Sequence, residues 1–197
     1  MPKFTFNKQE FLFIHIPKTG GTSIESWLSR HCDMAYYSTV IPTFMKCSPQ
    51  HLTIDYLLML EPNLDIPIFA IVRDPYDRAE SEYFFRTGNQ QAELRPNFSI
   101  WMLRHLQQLN RNPHHLDNHL MPQSYFINES VDVYRYEEGL GKIVDYISKT
   151  FNIPSPVDIP HSNASPRAKV IWSNELKDRF HKHFEIDFKN LGYEMKK

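Results

Sequence analysis

Cysteine, net charge and long apolar runs are what this sequence has least of. Its two cysteines, Cys32 and Cys47, are too few in 197 residues for a disulfide framework. They are expected to be free buried thiols in a reducing compartment. A net charge of −1 excludes the strongly basic balance of a general nucleic-acid binder, so no nucleic acid is expected as a partner. No apolar run reaches the roughly 18 residues that a membrane span needs. The N-terminus shows no charged-then-apolar leader with a small-residue cleavage site. Repeats and low-complexity tracts are missing too. What remains, with 41% hydrophobic and 23% charged residues, is the composition of one globular domain, taken as residues 1–197.

The most informative stretch is Phe11 to Ser23, FLFIHIPKTGGTS. Phe11 to Ile16 is apolar except for His15 and reads as a buried strand. Pro17 stops it, Lys18-Thr19-Gly20-Gly21 turns the chain, and Thr22 and Ser23 open a helix with Ile24, Trp27 and Leu28 at helical spacing. A strand, a glycine turn and a helix N-terminus together make an anion site, because the first helical N–H groups lack partners and the helix dipole favours negative charge there. The two glycines are expected to let the backbone approach the anion closely. Lys18 precedes both glycines, whereas the nucleoside triphosphate loop puts its Lys directly after the last Gly and before Ser or Thr. A kinase or GTPase reading is therefore the weaker alternative.

Further along, strands are expected at Met34–Tyr37, Ile68–Val72, Tyr125–Ile127 and Asp132–Tyr136. Helices are expected over Thr53–Leu60, with Ser48 or Thr53 as cap, over Tyr76–Phe85, through Phe98, Met102, Leu106 and Leu109, over Leu140–Phe151, and through Leu176, Phe180 and Phe184. Asn110–Gln123 reads as irregular and Pro154–Pro166 as a loop. Strands alternating with helices predict a single α/β domain with a P-loop-like, mostly parallel sheet flanked by helices.

A second constellation, Arg73 to Tyr83 (RDPYDRAESEY), follows the apolar run Ile68–Val72. Arg73 falls at the carboxyl end of that strand, where α/β proteins place ligands. With Ser81, about two helical turns on, it could hold a second phosphate, since guanidinium donors match phosphate oxygens in pairs. The structural alternative pairs Arg73 with Asp77 or Glu80. Asp74 could cap the helix that follows.

Together, IPKTGGTS and RDPYDRAESEY resemble the sulfotransferases, in particular the carbohydrate branch that includes the heparan sulfate and uronyl 2-O-sulfotransferases. His119-Leu120-Met121-Pro122-Gln123 resembles that branch's H-x-x-P-Q segment. VYRYEE at Val133 to Glu138, Asn163-Ala164-Ser165, and DFKNLGY at Asp187 to Tyr193 extend the similarity over nearly the whole chain. The resemblance implies an enzyme that moves the sulfuryl group of 3′-phosphoadenosine 5′-phosphosulfate (PAPS) to a hydroxyl, here of a saccharide, leaving the bisphosphate PAP. It implies that Lys18, Thr19, Gly20, Gly21, Thr22 and Ser23 bind the 5′-phosphosulfate, with Lys18 holding the leaving oxygen. Arg73 and Ser81 would bind the 3′-phosphate, and no metal is required. The loop Pro156–Lys169 is expected over the cofactor, where Asn163, Ser165, Arg167 and Lys169 could reach the 3′-phosphate or adenine edge; the alternative for Arg167 and Lys169 is a solvated surface. Animal members of the branch are usually anchored in the Golgi, so the expectation is a soluble cytoplasmic enzyme or a trimmed catalytic domain. A non-catalytic nucleotide-binding relative is the other alternative.

The acceptor hydroxyl needs a base, and histidine titrates near neutrality. Of ten histidines, His51 is preferred, because it lies between the cofactor motifs where several branch members place their base. His15 is second and is expected to be a core residue with a backbone partner. Glu25 is expected on the helix surface. The spacing of His115, Asp117 and His119 could suggest a metal site, but in an irregular segment that spacing has no geometric meaning, and no metal is expected. Arg78 and Arg86 could reach the cofactor or stay structural. Phe84, Phe85, Trp101, Phe180 and Phe184 read as core.

Overall fold

The structure is a computed structural model that describes residues 1–156 and 168–196. Among these residues, a five-stranded sheet of order β3-β1-β2-β4-β5 is flanked by six α-helices. β2 (Gln9–Ile14), β4 (Ile68–Val72) and β5 (Asp132–Arg135) run parallel. β1 (Lys3–Phe6) and β3 (Asp33–Ala35) add an antiparallel edge, so the sheet is mixed. β1 has no counterpart among the expected strands. Its four residues are too few for alternation to show.

Both apolar runs are buried on both faces. Phe11, Phe13, Phe69 and Ile71 pack against α1 (Gly21–Leu28) and α5 (Leu140–Phe151). Leu12, Ile14, Ala70 and Val72 pack on the other face with α2 (Ile54–Leu60) and with Met121 and Phe126. A separate core joins α3 (Pro75–Thr87), α4 (Phe98–Leu109) and α6 (Asn174–Leu191). The parallel strands β2, β4 and β5 all point toward the same end of the sheet.

Local chemistry accounts for several boundaries. Asp74 does cap α3, its carboxylate accepting from the N–H groups of Tyr76 and Asp77 at 2.9 and 3.1 Å. Thr53 occupies the cap position of α2 but makes no side-chain cap bond, and Ser48 is committed elsewhere. The strand expected at Tyr125–Ile127 is instead the end of a 3-10 turn over Gln123–Tyr125. Its backbone is drawn out of strand geometry because Asp187 accepts from the Gln123 and Ser124 N–H groups, each at 2.8 Å. Cys32 and Cys47 are free and buried, and burial pushes both thiols up to about 11.

Candidate active site

The chain after β2 turns sharply. Lys18 adopts φ +71° and Gly20 φ +92°, and α1 starts at Gly21 with Gly20 as its N-cap. The two glycines pack closely against their neighbours. A Cβ on Gly20 would lie 3.0 Å from the Tyr136 ring and 3.1 Å from Leu140, and a Cβ on Gly21 would lie 3.0 Å from the His15 ring. Glycine lets the loop lie flat against these three side chains. Thr19 is fully buried and outside the cavity lining, its hydroxyl donating to the Ile16 carbonyl at 2.8 Å. It braces the loop from beneath rather than facing a ligand.

Lys18, Gly20, Gly21, Thr22, Ser23, Arg73 and Ser81 line one cavity of about 610 Å³. That volume falls in the ordinary range for small-molecule sites. Arg73 is buried, its guanidinium 4.2 Å from the Tyr136 ring centroid and donating to the Lys18 carbonyl at 3.2 Å. Neither Asp77 nor Glu80 is the partner considered for it, and Glu80 accepts from Trp172 Nε1 at 2.9 Å. The Arg73 backbone is fixed by one residue: its N–H donates to Gln123 Oε1 at 2.9 Å, and its carbonyl accepts from Gln123 Nε2 at 2.8 Å. Asp187 in turn holds Gln123. The H-x-x-P-Q and DFKNLGY segments thus meet behind Arg73.

Arg78 is not a ligand group. It is buried and donates to the carbonyls of Pro17, Met121 and His119 at 2.9, 2.9 and 2.8 Å, and burial lowers it to about 10. It ties the Lys18 turn to the segment that carries His119.

Three histidines line the same cavity, each bound to a carboxylate. His15 Nδ1 meets Glu25 at 2.5 Å, and Gln50 Nε2 donates to the other Glu25 oxygen at 2.8 Å. His15 therefore has a carboxylate partner rather than a backbone one, and Glu25 is buried rather than on the surface. His51 Nδ1 meets Asp117 at 2.8 Å, and Asp117 also accepts from the Ser48 N–H and hydroxyl at 2.6 and 2.8 Å. His119 Nδ1 meets the fully buried Glu82 at 2.7 Å, and Arg86 Nε donates to that carboxylate at 2.8 Å. His51 sits between the other two, with ring centroids 5.3 Å from His15 and 4.9 Å from His119.

Desolvation by burial lowers His51 to about 4; the Asp117 hydrogen bond opposes this, and the neighbouring His15 and His119 add to it. Burial likewise lowers His119, against the pull of Glu82. Burial alone would raise Glu82, but His119 and Arg86 outweigh it and bring the carboxyl down to about 2. At neutral pH, His51 is an uncharged imidazole. With Nδ1–H donated to Asp117, its lone pair is on Nε2.

Asp117 reaches His51 from an unusual backbone. Leu116, Asp117 and Asn118 have φ of 56°, 56° and 64°, a left-handed turn that costs about 1–2 kcal/mol per residue outside glycine. Asn118 Nδ2 donates to the His51 carbonyl at 2.9 Å and locks the turn in place. His115 pairs instead with His105 at 2.8 Å, so His115, Asp117 and His119 diverge to separate partners. Among the described residues, no group of three or more His, Cys, Asp or Glu side chains is arranged to hold a metal ion.

Asn163, Ser165 and Arg167 lie outside the described residues, and Lys169 is exposed and away from the cavity lining. Phe84, Trp101, Phe180 and Phe184 are core as expected, but Phe85 is 52% exposed and lines the cavity.

The parallel strands of the α/β sheet thus lead into a glycine turn, a helix N-terminus and a cavity lined by Lys18, Arg73 and Arg86. The chain belongs to the sulfotransferase family: the family model described as "Sulfotransferase family" matches residues 2–194. Sulfuryl transfer is the chemistry of that family. A solved structure described as a sulfotransferase from Alicyclobacillus acidocaldarius is 14% identical, with 92% of this chain and 93% of that chain covered and a TM-score of 0.46. A search of curated proteins found no match. Among the described residues, no helix is long and apolar enough to cross a membrane.

Proposed function

We propose that this protein transfers the sulfuryl group of PAPS to a hydroxyl of a carbohydrate acceptor by in-line displacement. The observation that carries the reading is that one cavity is lined by two sets of residues, one suited to hold an anion and one that includes a carboxylate-paired histidine. Lys18, Arg73, Ser81 and the N-terminus of α1 form the first, and carboxylate-paired His51 belongs to the second.

The residues fit a donor with two phosphate groups. The first N–H groups of α1 and the hydroxyls of Thr22 and Ser23 would hold one, and the Arg73 guanidinium with the Ser81 hydroxyl the other. PAPS, when bound, supplies the sulfuryl group and a phosphate leaving group. Lys18 would stabilise the negative charge that develops on the oxygen of the breaking S–O bond. His51 Nε2 would take the proton of the acceptor hydroxyl as its oxygen forms the new O–S bond. Asp117, fixed by two bonds from Ser48, would orient the ring and stabilise the imidazolium. Holding the reactants in line supplies most of the rest. The carbohydrate acceptor rests on the resemblance of the RDPYDRAESEY and HLMPQ segments to the saccharide branch.

The test is ligand-induced stabilisation. PAP is expected to raise the melting temperature, and Lys18→Ala and Arg73→Ala to remove that shift. No stabilisation at millimolar PAP, or stabilisation by ATP only with Mg²⁺, would sink the proposal. An acceptor screen with labelled PAPS then identifies the saccharide.

A further inference from the structure

Phe85 follows the buried Phe84 on α3 but faces the cavity. Its ring meets groups from both sets. The Lys18 Nζ lies 3.8 Å from the ring centroid. The His119 ring stacks on Phe85, with centroids 5.8 Å apart and planes at 21°. Phe85 therefore stands between the lysine of the first set and the histidines of the second.

The face of an aromatic ring attracts an ammonium ion by about 0.5–1 kcal/mol when exposed and about 2 kcal/mol when desolvated. The contact is not itself a hydrogen bond to an acceptor. Lysine carries its charge on a flexible stem with large rotamer entropy. A ring that holds the ammonium beforehand removes part of that ordering cost from the step in which the charge is used.

We propose that Phe85 is a positioning residue for Lys18: its ring face holds the ammonium at the cavity wall, so that the charge is in place when negative charge develops beside it. The consequence for transfer rests on the proposed function, whereas the contact is a property of the free protein.

Phe85 is exposed, so its substitution leaves the core intact. Phe85→Leu keeps apolar bulk and removes the π face. It is expected to lower kcat about 3- to 30-fold, with the acceptor KM changed less than twofold. Phe85→Tyr and Phe85→Trp are expected to keep the wild-type rate. In a Lys18→Ala background, Phe85→Leu should cost nothing further. In the free protein, NMR should show the Lys18 Hε protons shifted upfield by the ring current, with the shift lost in Phe85→Leu and regained in Phe85→Trp. Unshifted Lys18 Hε protons in the wild type overturn the inference, as does a Leu variant with full activity or an equal loss in the Lys18→Ala background. A wild-type protein that shows the upfield shift but gains no stability from PAP overturns the proposed function and its consequence for transfer, while the contact stands.

Discussion

The two walls of the cavity are held by different means. The wall proposed to hold the anion is fixed mainly through the main chain: Lys18 and Gly20 take positive φ, Thr19 ties to a carbonyl, and Arg73 is gripped by its own N–H and C=O. The wall proposed to hold the base is fixed through side chains, as His15, His51 and His119 each lean on a carboxylate from a different element. Backbone donors cannot titrate, so the anion wall should be insensitive to pH. The imidazole–carboxylate wall must respond to it.

Four experiments sharpen or break this contrast. The largest effect is expected on the base wall. His51→Asn should lower transfer about 10²- to 10⁴-fold, the range for losing a general base. In the wild type, kcat/KM should stay level from neutrality downward and fall with a midpoint at about pH 4, where His51 takes up a proton. Near wild-type turnover in His51→Asn would move the base to a neighbour, with His15 and His119 the next to substitute. On the anion wall, Lys18→Ala should cost about 10²- to 10³-fold in kcat, the scale for losing one charge-stabilising donor, with the pH profile unchanged in shape.

Acid is the third lever. His51, His105, His115, His119, His181 and His183 all have folded pKa values below the free value. The unfolded chain then binds more protons than the folded one between the free and folded values, so stability is full above pH 6.5 and is lost as pH falls. For His51 alone, the shift from 6.5 to about 4 corresponds to on the order of 3 kcal/mol. Urea titrations at pH 7 and pH 4.5 should show the loss, and equal midpoints would contradict it. The smallest effect belongs to Gly20→Ala. Its positive φ and the 3.0 Å approach to Tyr136 predict a loss of about 1–3 kcal/mol by urea denaturation. PAP-induced stabilisation should weaken in parallel.

Sequence reading named most of the residues that line the cavity from the Lys18 turn and Arg73, but only part of the histidine–carboxylate set, for a physical reason. FLFIHIPKTGGTS and IFAIVRDP are contiguous, and burial on both faces, turn chemistry and caps are local signals. Two of the three histidine pairs, Asp117 with His51 and Glu82 with His119, join residues far apart in the chain, and periodicity is blind to such partners. Glu82 did leave a trace. With Arg78 and Ala79 it occupies the buried stripe of α3, and a carboxylate on such a stripe needs a counterpart. Phe85 was misplaced because hydrophobicity alone does not tell a core aromatic from one held against an ammonium. The left-handed turn at Leu116–Asn118 had no sequence signal beyond Asp117 and Asn118, since leucine disfavours that conformation.

Gln123 has a consequence for how this sheet comes to an end. A carboxamide has the same donor and acceptor pair as a peptide unit, and here it takes both hydrogen bonds of Arg73. It imitates a single rung of a strand that is not there. β4 can therefore stop beside open space without leaving main-chain groups unsatisfied. The isosteric Gln123→Glu would keep the acceptor, lose the donor and set a carboxylate against the Arg73 carbonyl and the Asp187 carboxylate. One exchanged atom would then loosen the strand terminus that presents the guanidinium.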